Sequence, residues 1–279
     1  PAMAASALVT VAHKELADGL RNRWIWTVSA FLGLSVLTVA FFGAAPVGVA
    51  GARGGAAVMA SLLNLIVYLV PLLALILGCG AVIDEKNRGT LDLILVSPLS
   101  AAEYFAGAFL GFGVALSVAL VCGLASSGLV LSLSLDLEIL SYLKLTGLAL
   151  ALGVVFLSLS FLLSILSRER GRAVVSSLVL WVASVFVFDL LLVGILIWSE
   201  GKVPVELFGK LLLLNPADVF RLLSFHWIED AAAPLGLSGM MNHVPSPMLL
   251  GGVLVAWTVV PLLLSFALFR RRVVHDTLV

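Results

Sequence analysis

Asp189 is the acidic side chain that lies deepest within a long apolar stretch of this sequence. An ionised carboxylate at the centre of a bilayer costs at least about 2.5 kcal/mol on insertion scales, so such groups usually pair, face a cavity or serve a function. Asp189 lies nine positions before Trp198, however, and a side chain near the end of its stretch can extend toward the polar surface instead. The sequence predicts a functional or paired carboxylate, with the surface position as the alternative.

Soft metal-ligating side chains occur after residue 225, namely His226, Met240, Met241, His243 and Met248. Thioether and imidazole groups are suitable ligands for Cu(I). Their spacing matches no defined metal site, and methionine near a membrane usually serves as an apolar residue. Met240, Met241 and His243 are therefore candidate copper ligands, with apolar packing as the favoured alternative.

The sequence lacks the motifs that cradle nucleotide phosphates or perform hydrolysis. No G-x-x-x-x-G-K-[ST] occurs, and the glycine-rich residues 51–55 include Arg53 but no matching lysine. H-E-x-x-H and G-x-S-x-G are also absent. We therefore expect no catalytic residue and no cofactor bound by this chain.

A charged segment, Glu85-Lys86-Asn87-Arg88-Gly89-Thr90-Leu91, separates two long apolar stretches. Residues 91–96 continue it as a short amphipathic turn that is too brief to cross a bilayer, and Pro98 ends that turn. Ser100-Ala101-Ala102-Glu103 is a capping box, which predicts that the next helix starts here. These features predict a small helix held between two long ones and suited to docking another protein; an ordinary connector is the alternative.

Composition places these residues in a membrane. The chain of 279 residues is 62% hydrophobic and only 11% charged, whereas soluble domains carry about 25% charged residues. Long apolar runs without strand alternation favour helices. Lipid offers no hydrogen-bond partners, so the backbone polar groups must bond within the segment, as they do in a helix. We predict an all-α membrane protein with six transmembrane helices at residues 24–45, 57–83, 104–133, 142–166, 172–198 and 248–269. Gly107, Gly111 and Gly113 predict close helix packing, either within one subunit or across a dimer.

The distribution of basic residues predicts the orientation. Eleven of the 16 Lys and Arg residues fall on one side of the predicted bundle, which the positive-inside rule makes cytoplasmic, together with both termini. The predicted organisation is a cytoplasmic interfacial helix at 1–23, a transmembrane domain at 24–269 and a cytoplasmic tail at 270–279. The transmembrane domain contains an inner loop at 84–103 and an outer, periplasmic loop at 199–247.

The segment before the first apolar stretch has an amphipathic pattern. Apolar residues recur every four positions on one side of the segment, namely Leu8, Ala12, Leu16 and Leu20. The opposite side is polar and carries Thr10, His13, Lys14, Asp18 and Arg21. This pattern predicts a helix that lies in the cytoplasmic membrane interface, with a solvated leader as the alternative.

The outer loop contains an apolar part that Asn215-Pro216 interrupts. We predict two short helices, the second with Asn215 as its N-cap and Pro216 at its first position. The pair either dips into the outer leaflet or forms a small folded loop. Asn215, Asp218 and Arg221 are candidate contacts with a periplasmic partner, although stabilisation of the helix pair explains Asn215 better.

This order of elements resembles the permease subunits of the ABC-2 class of ABC transporters over the whole chain. The resemblance is sharpest at the charged segment and at Pro98-Leu99-Ser100. In that family this loop contains the coupling helix, which sits in a groove on the ATPase subunit. The resemblance therefore implies that a separate ATPase, which binds ATP and magnesium, contacts this chain at Glu85, Arg88, Gly89, Thr90 and Leu91.

Two further segments, from Lys14 to Trp24 and from Asn215 to Arg221, resemble the NosY permeases of the nitrous oxide reductase maturation system. That family works with a cytoplasmic ATPase (NosF-like) and a periplasmic β-helical protein (NosD-like), and it is implicated in assembling a copper–sulfide centre. The resemblance implies a homodimeric, multi-pass permease in a bacterial inner membrane, with the lipid bilayer and no nucleic acid among its partners. Transport of a sulfur species and transmission of force alone both remain open.

Other classes of membrane protein are the alternatives: an ABC-2 exporter of another substrate, a secondary carrier without a motor, or a membrane anchor. Carriers often show paired half-repeats with broken helices and intramembrane charges. This sequence shows no such repeat and one such charge, Asp189. Other polar residues of its predicted spans, such as the serines, Asn64 and Thr38, favour no substrate class.

Overall fold

The computed structural model describes residues 2–21, 23–43, 55–87, 89, 100–134, 138–228 and 245–276. Within those ranges the regular structure is helical, as the apolar runs predicted. The helices are α1 Ala2–Arg21, α2 Trp24–Thr38, α3 Gly55–Gly78, α4 Ile83–Asn87, α5 Ala101–Ser134, α6 Ile139–Leu166, α7 Arg170–Val182, α8 Phe188–Trp198, α9 Val205–Leu212, α10 Pro216–Trp227 and α11 Pro247–Asp276. π-Helical turns extend some of these helices: Val39–Gly43 continues α2, and Ala183–Val187 joins α7 to α8.

Among the described residues, six helical segments are long and apolar enough to cross a membrane, which confirms the predicted all-α membrane fold. They are Trp24–Phe42, Val58–Glu85, Ala101–Ser134, Ile139–Leu166, Arg170–Trp198 and Pro247–Arg271, called spans one to six below. Each overlaps one of the six stretches predicted from the sequence.

Spans two and four form the centre of the bundle, because they are the most buried of the six, while spans one, five and six expose more of their surface. Uncovered apolar side chains are concentrated on span five, where Leu190 is 70% exposed and Ile197 is 74% exposed. Lipid or a second copy of the chain must cover these side chains in a membrane.

Serines of span four hold span two by hydrogen bonds. Ser160 Oγ donates to the Leu75 carbonyl at 2.6 Å. Ser164 Oγ accepts from the backbone N–H groups of Val82 and Ile83 at 3.1 and 3.2 Å, where α3 has ended and α4 begins. A side-chain hydroxyl thus satisfies backbone groups that the break in the helix would leave without a partner. These intramembrane serines serve helix packing.

α1 packs against span three through two of the predicted glycines. A Cβ added at Gly107 would come within 2.9 Å of the Leu8 carbonyl, and one at Gly111 would come within 2.7 Å of Glu15 Cβ. The close packing at these glycines is therefore internal to one chain, which was one of the two predicted possibilities. Gly113 has no such contact, since the nearest atom to its added Cβ is 3.9 Å away. The placement of α1 in a membrane interface stays a prediction.

The local capping predictions are confirmed. The Ser100 N–H donates to Glu103 Oε2 at 2.8 Å, and the Glu103 N–H donates to Ser100 Oγ at 3.2 Å, so the capping box starts span three. Asn215 Oδ1 accepts from the Ala217 N–H at 3.2 Å, with Pro216 at the first position of α10. α9 and α10 are the two short helices predicted on either side of Asn215.

Candidate functional site

Ion pairs join three separate segments at one end of the bundle, which we call the ion-pair end. Lys14 Nζ of α1 lies 3.0 Å from Glu85 Oε1 of α4 and 3.3 Å from Glu15 Oε1. Arg170 Nη1, at the start of span five, lies 3.1 Å from Asp84 Oδ2 of α4. The short helix α4 is thus held on one side by α1 and on the other by span five.

The charges of this cluster reinforce one another. Burial alone would lower the pKa of Lys14, but the hydrogen bond to Glu85 and the charges of Glu15 and Glu85 outweigh it and raise that pKa. Burial raises the pKa of Glu15, and the ammonium group of Lys14 opposes that rise. Lys14 therefore stays protonated at neutral pH, as its two ion pairs require.

The predicted ATPase-contact residues begin at this cluster. Glu85 belongs to it, and Gly89 follows α4 with an exposed, left-handed backbone at φ 69°. Glycine adopts that conformation without a Cβ penalty, and it commonly ends a helix in this way. Arg88, Thr90 and Leu91 lie outside the described residues, so their contacts stay predictions.

A second cluster lies at the opposite end, which we call the short-helix end after α9 and α10. Asn215 Nδ2 donates to the Ser184 carbonyl at 2.7 Å, and Ser184 belongs to the π-helical segment of span five. Such segments loosen the regular hydrogen-bond ladder of a helix and are frequent at functional sites. The N-cap of α10 therefore also fastens α10 to the irregular turn of span five.

Arg221 is the centre of this second cluster. Its Nη1 lies 2.8 Å from Asp189 Oδ2 of span five and 2.8 Å from Asp218 Oδ1, one turn earlier on α10. Asp218 Oδ2 accepts a further hydrogen bond from Asn215 Nδ2 at 2.7 Å. These contacts tie α10 to span five. We call the group the outer clamp; it consists of Asp189, Arg221, Asp218 and Asn215.

The outer clamp holds two carboxylates around one guanidinium. Burial raises the pKa of Asp218 to about 6, and the Asp189 charge adds to the rise, although the Arg221 guanidinium and the Asn215 amide lower it. Asp218 is only 3% exposed, so its negative charge depends on these two donors. The clamp is therefore sensitive to the loss of Arg221.

The predicted residues of the outer loop divide between burial and partial exposure. Asn215 and Asp218 are buried, in agreement with a structural role in the helix pair. The side chain of Arg221 is 18% exposed and that of Asp189 is 36% exposed. Asp189 thus has a basic partner that the sequence did not point out, while contact with a periplasmic protein stays a prediction.

The predicted copper ligands Met240, Met241 and His243 lie outside the described residues. Of their neighbours, Met248 is 90% exposed at the start of α11, and His226 Nδ1 lies 3.0 Å from the Leu222 carbonyl within α10. A copper site stays a prediction.

The sequence did not predict that the ion-pair end brings together Lys14, Asp84 and Arg170. Lys14 stood on the polar side of the predicted amphipathic helix, and Arg170 counted only toward the orientation. Opposite charges at the ends of three predicted helices indicated that ion pairs could form there. They did not indicate which residues would pair.

Comparison with known proteins gives one family and close relatives. A family model described as "ABC-2 family transporter protein" matches residues 9–274. The chain is 40% identical over 269 residues to the "Probable ABC transporter permease protein NosY" of Pseudomonas aeruginosa, covering 94% of this chain and 98% of that protein. It is 37% identical over 268 residues to the protein of the same name from Stutzerimonas stutzeri, covering 94% of this chain and 97% of that protein.

Proposed function

The chain belongs to the ABC-2 family of transporter proteins as a membrane permease subunit, and we propose that it couples ATP hydrolysis in a separate cytoplasmic ATPase to movement of its own helices. The observation that carries this proposal is the position of α4. This short helix is ion-paired to α1 through Glu85 and to the start of span five through Asp84. A partner that moves the loop after α4 would displace both neighbours together.

Span three is the third element that such a movement would reach. Gly107 and Gly111 bring the backbone of α1 into direct contact with span three, without an intervening side-chain layer. Close-packed helices transmit displacement because interiors have little free volume to absorb it. Motion at the loop would therefore pass to spans two, three and five.

In this proposal the ion-pair end faces the cytoplasm and the short-helix end faces the periplasm. The excess of basic residues at the ion-pair end supports this orientation through the positive-inside rule. The ATPase would then approach the loop at Glu85, Arg88, Gly89, Thr90 and Leu91, and both termini would be cytoplasmic.

Co-purification with the ATPase tests the coupling. Leu91→Ala and Arg88→Ala should lower the ATPase recovered per permease, since both remove side chains from the proposed contact. Matched controls at the short-helix end are Leu214→Ala, where leucine is 62% exposed, and Lys202→Ala, where lysine is also exposed. Full recovery of ATPase with both loop variants would remove the proposed contact.

The identity to two proteins named NosY supports a narrower proposal. We propose that the permease forms a homodimer, with a NosF-like ATPase and a NosD-like periplasmic β-helical protein, and serves assembly of the copper–sulfide centre of nitrous oxide reductase. A strain without this chain should produce a reductase that lacks the absorption of that centre. An intact centre in that strain would exclude this role and leave the family assignment untouched.

Asp189 offers a test of what the outer clamp contributes to this role. Asp189→Asn removes a charge from span five while leaving the side-chain shape almost unchanged. If span five drives α10 through the clamp, ATP turnover should continue while centre assembly falls. Wild-type values of both quantities would show that the carboxylate has no part in coupling.

A further inference from the structure

A partly open cavity of about 450 Å³ lies at the ion-pair end. Residues of α1, span one, span two, span three and the first turn of span five line it. It therefore lies where four of the spans approach the polar end of the bundle.

The lining of this cavity combines apolar and charged side chains. The apolar ones include Trp24, Leu77 and Phe112, from three different spans. The charged ones are Lys14, Glu15, Asp18, Asp84, Glu85 and Arg170. A ligand that satisfies both groups has a polar head joined to an apolar body.

The position of the cavity favours a bilayer lipid as that ligand. Trp24 begins span one, and tryptophan is enriched at the level of lipid headgroups. The apolar side is formed by span residues, which continue into the hydrocarbon region. Lipid is the amphiphile that meets this surface at high local concentration.

The charges select among headgroups. The described lining has four carboxylates and two basic side chains, and both basic side chains already have acidic partners. An added cation would balance this negative excess. A primary ammonium group also carries three N–H donors for carboxylate acceptors, whereas a quaternary ammonium has none. Lys14 and Arg170 line the same cavity, and each offers N–H donors to a lipid phosphate.

We propose that this cavity binds the headgroup of a bilayer phospholipid that carries a primary ammonium, the phosphatidylethanolamine class. The carboxylates of Glu15 and Asp18 receive the ammonium group, and the first part of the acyl chains lies against Trp24, Leu77 and Phe112. The bound lipid touches both α1 and span two, beside the ion pair of Lys14 and Glu85.

Native mass spectrometry of the purified full-length chain, titrated with single lipids of matched acyl chains, tests this proposal. Phosphatidylethanolamine should bind about fivefold more tightly than phosphatidylcholine, which keeps the positive charge but loses the N–H donors. A preference of similar size is expected over phosphatidylglycerol, which lacks the positive charge. Glycerophosphoethanolamine, which has the same head without acyl chains, should show no binding. Equal binding of the three lipids, or tightest binding of phosphatidylglycerol, would overturn the proposal.

A variant pair locates the site. Glu15→Gln with Asp18→Asn should reduce the ethanolamine preference to less than about twofold, because the ammonium loses its nearest charges. Glu206→Gln, an exposed carboxylate at the short-helix end, is the matched control and should leave the preference unchanged. An unchanged preference in the double variant would place the lipid elsewhere and refute the assignment.

A measurement on the unaltered protein covers the case in which the double variant does not fold. A phosphatidylethanolamine analogue with a photoreactive group near its phosphate should label peptides of α1 and of residues 73–85 in preference to those of α9 and α10. Labelling that is equal at both ends of the bundle would contradict the proposed site.

Discussion

Arg221→Met tests whether one guanidinium holds the outer clamp together. The substitution keeps a long apolar stem and removes the charge. In the structure Arg221 Nη1 lies 2.8 Å from Asp189 Oδ2 and 2.8 Å from Asp218 Oδ1. Asp218, which is 3% exposed in the structure, would then keep the Asn215 amide as its side-chain donor among the described residues.

Asp218 and Asp189 should contribute unequally to the stability that Arg221→Met removes. Opposite charges about 4 Å apart interact by about 4 kcal/mol at an effective dielectric of 20. Removing one partner of a buried pair costs about 3 to 5 kcal/mol, because a buried charge is left uncompensated. Asp189 is 36% exposed, so water replaces much of what it loses, and its pairing should contribute at most about 1 kcal/mol. We expect Arg221→Met to lower the free energy of unfolding by about 3 kcal/mol.

A double-mutant cycle separates the two contributions. The free energy of unfolding would be measured in lipid nanodiscs at about pH 7 and at about pH 8. Two pH values are needed because Asp218 can take up a proton at the lower one, which limits the loss of stability. In an Asp218→Asn background Arg221→Met should cost less than about 1 kcal/mol, because no buried carboxylate remains. In an Asp189→Asn background it should cost almost as much as in the wild type. Lys210→Met, at an exposed lysine of α9, is the matched control.

An equal cost of Arg221→Met in the Asp218→Asn background and in the wild type would refute an electrostatic role for Arg221. That result would mean that the stem of Arg221, and not its charge, stabilises α10. A cost equal to that of Lys210→Met would show that the clamp contributes nothing measurable.

Three further perturbations follow from the packing and the charges. Gly111→Leu should push α1 away from span three, lower the free energy of unfolding by about 1 to 3 kcal/mol and speed hydrogen exchange in α1. Its control is Gly194→Leu, at a site with no atom within 4 Å of an added Cβ. Equal exchange in both variants would argue against the contact. Ser164→Ala should cost about 1 to 3 kcal/mol in thermal unfolding, because two buried N–H groups lose their acceptor, while the exposed Ser132→Ala should change little. Because the pKa of Asp218 rises from 3.8 to about 6, the folded protein holds this proton more tightly, so stability should fall as pH rises between these values and level off above them. Asp218→Asn should remove that part of the slope, at most about 3 kcal/mol, and an unchanged slope would assign it to other groups.

Local patterns predicted the helices well because each pattern involves residues close in the chain. Apolar runs of the length that a bilayer needs predicted all six spans. Ser100 with Glu103, and Asn215 with Pro216, predicted helix starts because a cap is formed within one turn. The same holds for the division of the outer loop into α9 and α10.

Pairings between distant segments could not be predicted in the same way. Ser164 and Ser160 looked like scattered polar residues, yet they accept from and donate to the backbone of span two. The partner of Asp189 was missed because Arg221 lies 32 positions away, and nothing in a single sequence ranks it above other basic residues.

The sequence by itself determined that this chain is a bundle of six membrane-spanning helices without a nucleotide-binding motif of its own, because hydropathy and motif spacing are local properties. The tertiary structure decided that Gly107 and Gly111 seat α1, that α4 is held by Lys14 and Arg170, and that Arg221 joins α10 to span five. Each of these depends on how helices are placed relative to one another. An ion pair forms only where packing brings two charges within a few ångströms, and a glycine becomes a contact only where another backbone approaches it.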